Sequence, residues 1–210
     1  MKKRLLLLLV INITCFSAWS QLKPGFSKTK GEIQTKTTAT TTTPDPPVYS
    51  LTAAKVTIKT GSDNKEFPSG LYIQFWLKDH SWNTASSTLL FRIQDLRNEM
   101  AVNSTTELGL PKYAGTADKY LLSNIQKNGL ELEVFYVANF FMDAWKIENI
   151  SCTLEFRDQN GNLHPTLGSK TINFSNANGF LNNEYAYFRC TTDQNFNPLM
   201  AAIGKYSSSN

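Results

Sequence analysis

Residue types that usually carry catalysis are scarce in this 210-residue sequence, which contains two histidines, His80 and His164. Neither lies in a recognisable nucleophile, metal-ligand or nucleophile-elbow motif. The acidic pair Glu131 and Glu133 falls on one face of a predicted strand, where alternating acids are typical of a solvated surface. The sequence offers no catalytic set of residues, and we expect a protein that is not an enzyme.

A surplus of charge is also missing from the part of the chain expected to fold. The formal net charge is +4, but it falls to about +1 without the basic residues of segment 1–20 and to about −1 for the residues after 47. A nucleic-acid-binding domain usually has a basic footprint that neutralises phosphates. We therefore expect no nucleic acid partner.

The first 20 residues have the pattern of a cleavable signal peptide. Residues 2–4 are Lys-Lys-Arg, and the apolar run 5–13 is too short to span a bilayer. Small residues at Ala18 and Ser20 predict cleavage after Ser20. We expect a secreted or cell-envelope protein, either periplasmic or extracellular.

Cysteine is limited to three residues. Cys15 lies in the predicted signal peptide. The alternative is a lipoprotein acylated at Cys15, although the preceding Asn-Ile-Thr is a poor match to a lipid-modified cysteine. Cys152 and Cys190 are expected to form a disulfide, because an exported chain enters an oxidising compartment. The alternative is two buried thiols that pack as small hydrophobic side chains.

The segment 21–47 is rich in threonine and ends in a proline cluster, with few large apolar residues. Such a segment cannot bury enough surface to offset the entropy lost on ordering. We predict a disordered linker whose prolines favour an extended conformation. It would hold the following domain away from an attachment point or a partner.

Alternation of apolar and polar residues with period two dominates the chain after residue 47 and predicts strands. In the longest strand the phase changes between Ile147 and Ile150, which predicts a β-bulge near Asn149. We predict a single eight-stranded antiparallel β-sandwich over 48–196, followed by a tail over 197–210 with a weak helical pattern at 199–203. The expected strands centre on residues 56–58, 71–77, 89–93, 118–122, 130–137, 145–157, 172–174 and 186–190.

The order of these segments resembles the PLAT domain, a β-sandwich family named for polycystin, lipoxygenase and alpha-toxin. The similar segments are the opening strand at 55–61, a glycine and an aspartate before an aromatic at 114–120, the following strand at 129–134, a tryptophan-led strand at 143–150 and the closing strand at 187–190. The resemblance implies a PLAT-like sandwich. In that family, tryptophans in the loop after the second strand are associated with lipid contact, and Trp82 occupies a similar place.

The first loop departs from the family pattern. The family usually has a Gly-Thr-Asp-Ala type sequence there, whereas residues 66–71 are Glu-Phe-Pro-Ser-Gly-Leu. Calcium requires several convergent oxygen ligands, so the missing aspartate argues against the calcium site of some members. The remaining candidate ligands are Asp63, Asn64, Glu66 and Asp79. The alternative is that they are solvated turn residues, and we expect no cofactor, with calcium as the competing possibility.

Bulky aromatic residues occur where the alternation predicts loops or outward positions. Trp82, Phe140 and Phe141 fall in predicted loops, and Tyr72 and Trp76 fall on the outward face of one strand. Exposed apolar patches generally mark contacts with a membrane, a ligand or a partner, and tryptophan suits interfaces. The alternative is that the loop rings fold back over the ends of the sandwich and that a neighbouring segment covers the strand pair.

These features lead us to expect a non-catalytic binding module that contacts a lipid surface or a protein partner through Trp82, Phe140 and Phe141. Two further hypotheses use the same features. A carbohydrate-binding module would stack a glycan on Tyr72 and Trp76. A structural subunit of an envelope assembly would instead place its exposed aromatics against another protein.

Overall fold

The structure is a computed structural model that describes residues 45–78 and 85–205. The predicted signal peptide, with Cys15, lies outside the described residues, as does the predicted linker up to residue 44. The segment 79–84, which contains Asp79, His80 and Trp82, also lies outside them.

Ten strands form in the described residues, two more than expected. They are β1 (Ser50–Thr60), β2 (Gly70–Leu77), β3 (Leu89–Leu96), β4 (Thr105–Leu110), β5 (Leu130–Val137), β6 (Trp145–Arg157), β7 (Ser169–Phe174), β8 (Gly179–Leu181), β9 (Tyr185–Thr192) and β10 (Pro198–Lys205). The helical elements are α1 (Ala85–Thr88), a 3-10 turn at Ala117–Tyr120 and α2 (Leu122–Asn128).

The strands form two antiparallel sheets that share one hydrophobic core. The first sheet has the order β4-β1-β6-β7, with β8 also paired to β6, and the second has the order β10-β9-β5-β2-β3. Val56 and Ile150 from the first sheet lie in the same core as Leu132, Val134 and Phe188 from the second. The predicted all-β sandwich is therefore confirmed as an architecture.

The bulge predicted in the longest strand is present. Lys59 pairs with Asn149, whereas Thr60 pairs with Ile147, so β6 has one extra residue at this point. The extra residue lets Trp145 and Ile147 enter the same core as Ile150, although their sequence phase differs.

Three strands were missed, and one predicted strand is wrong. β4, β8 and β10 were not predicted. β10 occupies the segment that was expected to be a tail with a weak helical pattern. The segment 118–122 instead contains the end of the 3-10 turn, the bridging residue Leu121 and the first residue of α2. Side chains of the turn are held by β3 and by Tyr113. The Tyr120 hydroxyl hydrogen-bonds to the carbonyls of Leu90 and Tyr113, each at 2.6 Å, and the Lys119 ammonium donates to the Leu89 carbonyl at 2.8 Å.

The predicted disulfide is not formed in the structure. Cys152 on β6 and Cys190 on β9 are both buried free thiols. Each occupies a core position as a small apolar side chain, which is the alternative that the sequence left open. Burial raises the pKa of Cys190 to about 12 and also raises that of Cys152, so both remain protonated thiols at neutral pH.

Antiparallel pairing sorts the connections to the two ends of the sandwich. Gly70 pairs with Val137, whereas Leu77 pairs with Leu130 at the other end of the same two strands. We call the end at Val137 the apical end. The connections 61–69, 97–104, 138–144, 175–178 and 182–184 lie there, and the connections 111–129, 158–168 and 193–197 lie at the opposite end. Within the described residues, no helix is long and apolar enough to cross a membrane.

Candidate functional site

The connection between β5 and β6, residues 138–144, presents three consecutive apolar side chains to solvent. Phe140, Phe141 and Met142 are 52%, 89% and 82% exposed. We call this connection the apical loop. The structure thus places two of the aromatic residues singled out in the sequence together on one exposed loop, and adds Met142 to them.

A buried carboxylate holds the apical loop in its conformation. Asp143 is buried and accepts hydrogen bonds from the Ser69 hydroxyl and from the Asn139 backbone N–H at 3.1 Å. The Asp143 backbone N–H donates to the Phe140 carbonyl at 3.1 Å, which closes a turn with Phe141 and Met142 at its centre. The two most exposed side chains therefore occupy the tip of a turn that is fixed at its base.

The connection between β1 and β2, residues 61–69, lies beside the apical loop and has a similar turn. The Ser69 N–H donates to the Glu66 carbonyl at 3.2 Å, and Phe67, at the centre of this turn, is 68% exposed. The Asn139 side-chain amide donates to the Glu66 carboxylate at 3.0 Å. The two turns are therefore neighbours, and each presents an aromatic side chain to solvent.

Sequence reasoning did not identify Phe67. The loop 61–69 lacks the aspartate of the PLAT pattern, and only that difference was considered in the sequence. The signal for Phe67 was an aromatic residue between Glu66 and Pro68 in a predicted loop. The missing information was the contact with Asn139, which is 73 residues away in the chain. A lone phenylalanine in a turn carries little weight until its neighbours are known.

Lys65 fixes the base of this second turn. It is fully buried, and its ammonium donates to the carbonyls of Ser69 at 2.6 Å, Asn98 at 2.8 Å and Glu66 at 3.3 Å. Its backbone also pairs with Met100 in both directions. Burial lowers the pKa of Lys65 to about 8, against the opposing charge of Asp143.

Three cationic side chains near the apical end are paired with acidic residues, and a fourth, Lys146, donates to the Asn178 side-chain oxygen at 2.8 Å. Lys59 pairs with Glu148 at 2.7 Å, and Lys205 pairs with Glu184 at 2.6 Å. Arg97 pairs with Asp95 at 3.0 Å and also donates to the Pro68 carbonyl at 3.1 Å. These pairs neutralise much of the charge around the exposed apolar residues.

Trp82 lies outside the described residues, but the strands on either side of its segment are described. Leu77 pairs with Leu130, and Leu89 pairs with Trp76. Both flanking residues therefore lie at the end of the sheet opposite the apical loop. The expected contribution of Trp82 to a contact surface stays a prediction.

The expectation that Trp76 faces outward as an exposed ring is wrong. Trp76 is 2% exposed, and its register neighbours, Leu89 on β3 and Glu131 on β5, are buried beside it. Tyr72 is partly exposed and packs edge-on against Phe135, with ring centroids 5.9 Å apart. The two rings proposed as a sugar-stacking pair do not form an exposed platform.

The candidate calcium ligands make other contacts. The Glu66 carboxylate accepts from Asn139, and the Asn64 amide donates to Glu99 at 3.3 Å. The Asp63 backbone carbonyl accepts from the Lys146 N–H at 3.1 Å. Across 45–78 and 85–205, no group of three or more histidine, cysteine or acidic residues is arranged to hold a metal ion.

His164 has a structural role in the connection between β6 and β7. Its Nδ1 atom accepts hydrogen bonds from the backbone N–H groups of Thr166 at 3.2 Å and Leu167 at 3.1 Å. Its ring packs against Tyr49, with centroids 4.4 Å apart. These contacts stabilise the turn.

No protein-family model, curated protein or solved structure matches the chain. The resemblance to the PLAT domain therefore stays a prediction.

Proposed function

We propose that this protein is an exported, non-catalytic binding module of PLAT-like fold that docks onto a lipid surface through its apical loop. The observation that carries the proposal is the row Phe140, Phe141 and Met142, in which three consecutive apolar side chains are exposed on a turn closed by the buried Asp143. Contiguous exposed apolar groups of this kind generally mark a contact surface.

The first carbonyl of the turn is compatible with contact with a lipid surface. A segment that enters the apolar part of a bilayer must satisfy its own polar backbone groups. The Phe140 carbonyl accepts two hydrogen bonds, from the Asp143 N–H at 3.1 Å and from the Asn183 side-chain amide at 3.0 Å. The carbonyl at the first position of the turn, Phe140, is therefore already paired without water.

The expected affinity is modest. Transfer of one phenylalanine or methionine side chain out of water contributes about 1.5–3 kcal/mol. Partial insertion of the three side chains would contribute roughly 5 kcal/mol, which corresponds to a dissociation constant on the order of 0.1–1 mM. A weak contact of this kind suits a domain that a linker holds close to its surface.

Flotation with phosphatidylcholine vesicles tests the proposal. We expect the native protein to float with the vesicles and the Phe141→Asp variant to remain at the bottom of the gradient. The matched control is Leu163→Asp, because Leu163 is also exposed, at 47%, but lies at the opposite end of the sandwich. This control variant should float as the native protein does.

Failure of the native protein to float would contradict docking on lipid. The exposed loop would then favour the alternative of a protein partner. Equal loss of flotation in the Phe141 and Leu163 variants would also contradict the proposal, since it would show that the loss is not specific to the apical loop.

A further inference from the structure

The apical loop and its neighbour form one surface with two projecting turns. The turn Glu66–Ser69 and the turn Phe140–Asp143 are each closed by a backbone hydrogen bond. Two contacts join them, one from Asn139 to Glu66 and one from Ser69 to Asp143. We call the exposed side chains of these turns the two-loop tip, which consists of Phe67, Phe140, Phe141 and Met142.

These joining contacts leave the apolar side chains on the outside. Glu66 and Ser69 flank Phe67 and Pro68, and each makes a hydrogen bond to the apical loop. Asn139 and Asp143 flank the three apolar residues of that loop in the same way. The polar side chains therefore form hydrogen bonds between the two turns, while the aromatic rings remain exposed.

The cation that organises the base of the tip is part of the chain. A bound metal ion orders loops by drawing several oxygen atoms together. Here the Lys65 ammonium does this with the carbonyl oxygens of Ser69, Asn98 and Glu66, at 2.6–3.3 Å. The ammonium group of Lys65 thus orders the turn in the way that a bound metal ion would.

The charge around the tip gives no reason to prefer an anionic surface. Arg97, Lys59 and Lys205 are each paired with an acidic residue. Lys146, a fourth cation of this end, donates to the Asn178 side chain at 2.8 Å and lies over the Phe180 ring. Attraction to anionic lipid requires basic side chains that can face the surface. The folded part of the chain also has a formal charge of only about −1.

We infer that the surface recognised by this protein is a neutral phospholipid surface, into which Phe67 inserts together with the apical loop, and that this docking requires neither calcium nor anionic lipid. The inference rests on the proposed function, because it names the lipid class and adds a second inserting loop to the same site. It assigns Lys65 the role of the internal cation.

Vesicle flotation under four conditions tests the inference. Vesicles of phosphatidylcholine alone are compared with vesicles that also contain phosphatidylglycerol, each with calcium and with a chelator. We expect the apparent affinity to change by less than about threefold among them, and to be insensitive to salt, because charge screening does not weaken apolar insertion. Phe67→Asp should weaken binding at least about tenfold on both vesicle types.

The outcomes separate this inference from the proposed function. No flotation under any condition would overturn both. Flotation only with phosphatidylglycerol or only with calcium would overturn the inference and leave lipid docking in place. Native-like flotation of the Phe67→Asp variant would remove Phe67 from the site. Phe67 is exposed, so its variant should keep the native melting temperature, and a Val48→Asp variant serves as the matched exposed control.

Discussion

The Asn139 side-chain amide donates a 3.0 Å hydrogen bond to the Glu66 carboxylate, and this contact joins two turns that are far apart in sequence. Asn139 directly precedes Phe140, and Glu66 directly precedes Phe67. The contact therefore places the two exposed aromatic groups at the same end of the sandwich. It turns one exposed loop into a broader apolar surface.

Coupling between Asn139 and Glu66 should be measurable in a double-mutant cycle. Asn139→Ala and Glu66→Ala each remove the same hydrogen bond, so the double variant should lose less stability than the sum of the two single losses. We expect a coupling free energy of about 0.5–1 kcal/mol from urea denaturation. Strict additivity would mean that the two turns are not joined by this contact in solution.

Asp143→Ala should destabilise the protein clearly. The substitution removes the acceptor of the Ser69 hydroxyl and of the Asn139 N–H in a buried place. We expect a loss of about 1–3 kcal/mol in the free energy of unfolding, measured by urea denaturation. Asp118→Ala is the control, because Asp118 is exposed, and its effect should stay within about 0.5 kcal/mol. Equal effects of the two substitutions would contradict the anchoring role of Asp143.

Two turns at the opposite end should contribute to the acid sensitivity of the fold. Asp158 and Asp193 begin the related sequences Asp-Gln-Asn-Gly-Asn and Asp-Gln-Asn-Phe-Asn. Hydrogen bonds from the Asn162 side chain lower the pKa of Asp158, and those from Asn197 lower the pKa of Asp193. Because the pKa is lower in the folded state, this stabilisation is complete above about pH 4 and is lost as the pH falls through the folded-state value.

Asp193→Asn tests this pH dependence. The variant should be less stable than the native protein at neutral pH, and the difference should shrink as the solution is acidified below about pH 4. Thermal melting across this range gives both quantities. A difference that stays constant with pH would show that the Asp193 carboxylate does not hold the turn in this way.

The two core cysteines should be inaccessible in the folded protein and reactive after unfolding. Cys152 and Cys190 are buried free thiols with raised pKa values, and a thiol reagent attacks the thiolate form. We expect Cys152 and Cys190 to stay unlabelled in the native domain and both to be labelled in denaturant without reductant. Absence of labelling in denaturant would instead indicate the disulfide that the structure lacks.

Local alternation in the sequence was enough to predict the central strands. Buried and less buried residues alternate along much of β5 and β6, and the change of phase in β6 indicated its bulge. β4 and β10 lie at sheet edges, where many side chains are exposed, and β8 has only three residues. Their apolar pattern was too weak to distinguish a strand from a loop or tail.

The candidate site was predicted only in part, because its assembly depends on contacts distant in sequence. Phe140 and Phe141 could be identified as loop residues from their position between two strong strands. The burial of Trp76 depends on Leu89 and Glu131 in the adjacent strands. The proposed role of Phe67 depends on the contact between Glu66 and Asn139. No local sequence pattern indicates this contact or the burial of Trp76.

A spin label attached to a Phe141→Cys variant would measure insertion of the tip most directly. The two core cysteines are buried, so the label should react selectively at the surface. On addition of phosphatidylcholine vesicles, we predict that collisions of the label with oxygen increase and that collisions with a water-soluble nickel complex decrease. A label on a Leu163→Cys variant should show neither change, and identical behaviour of the two labels would contradict lipid docking through the apical loop.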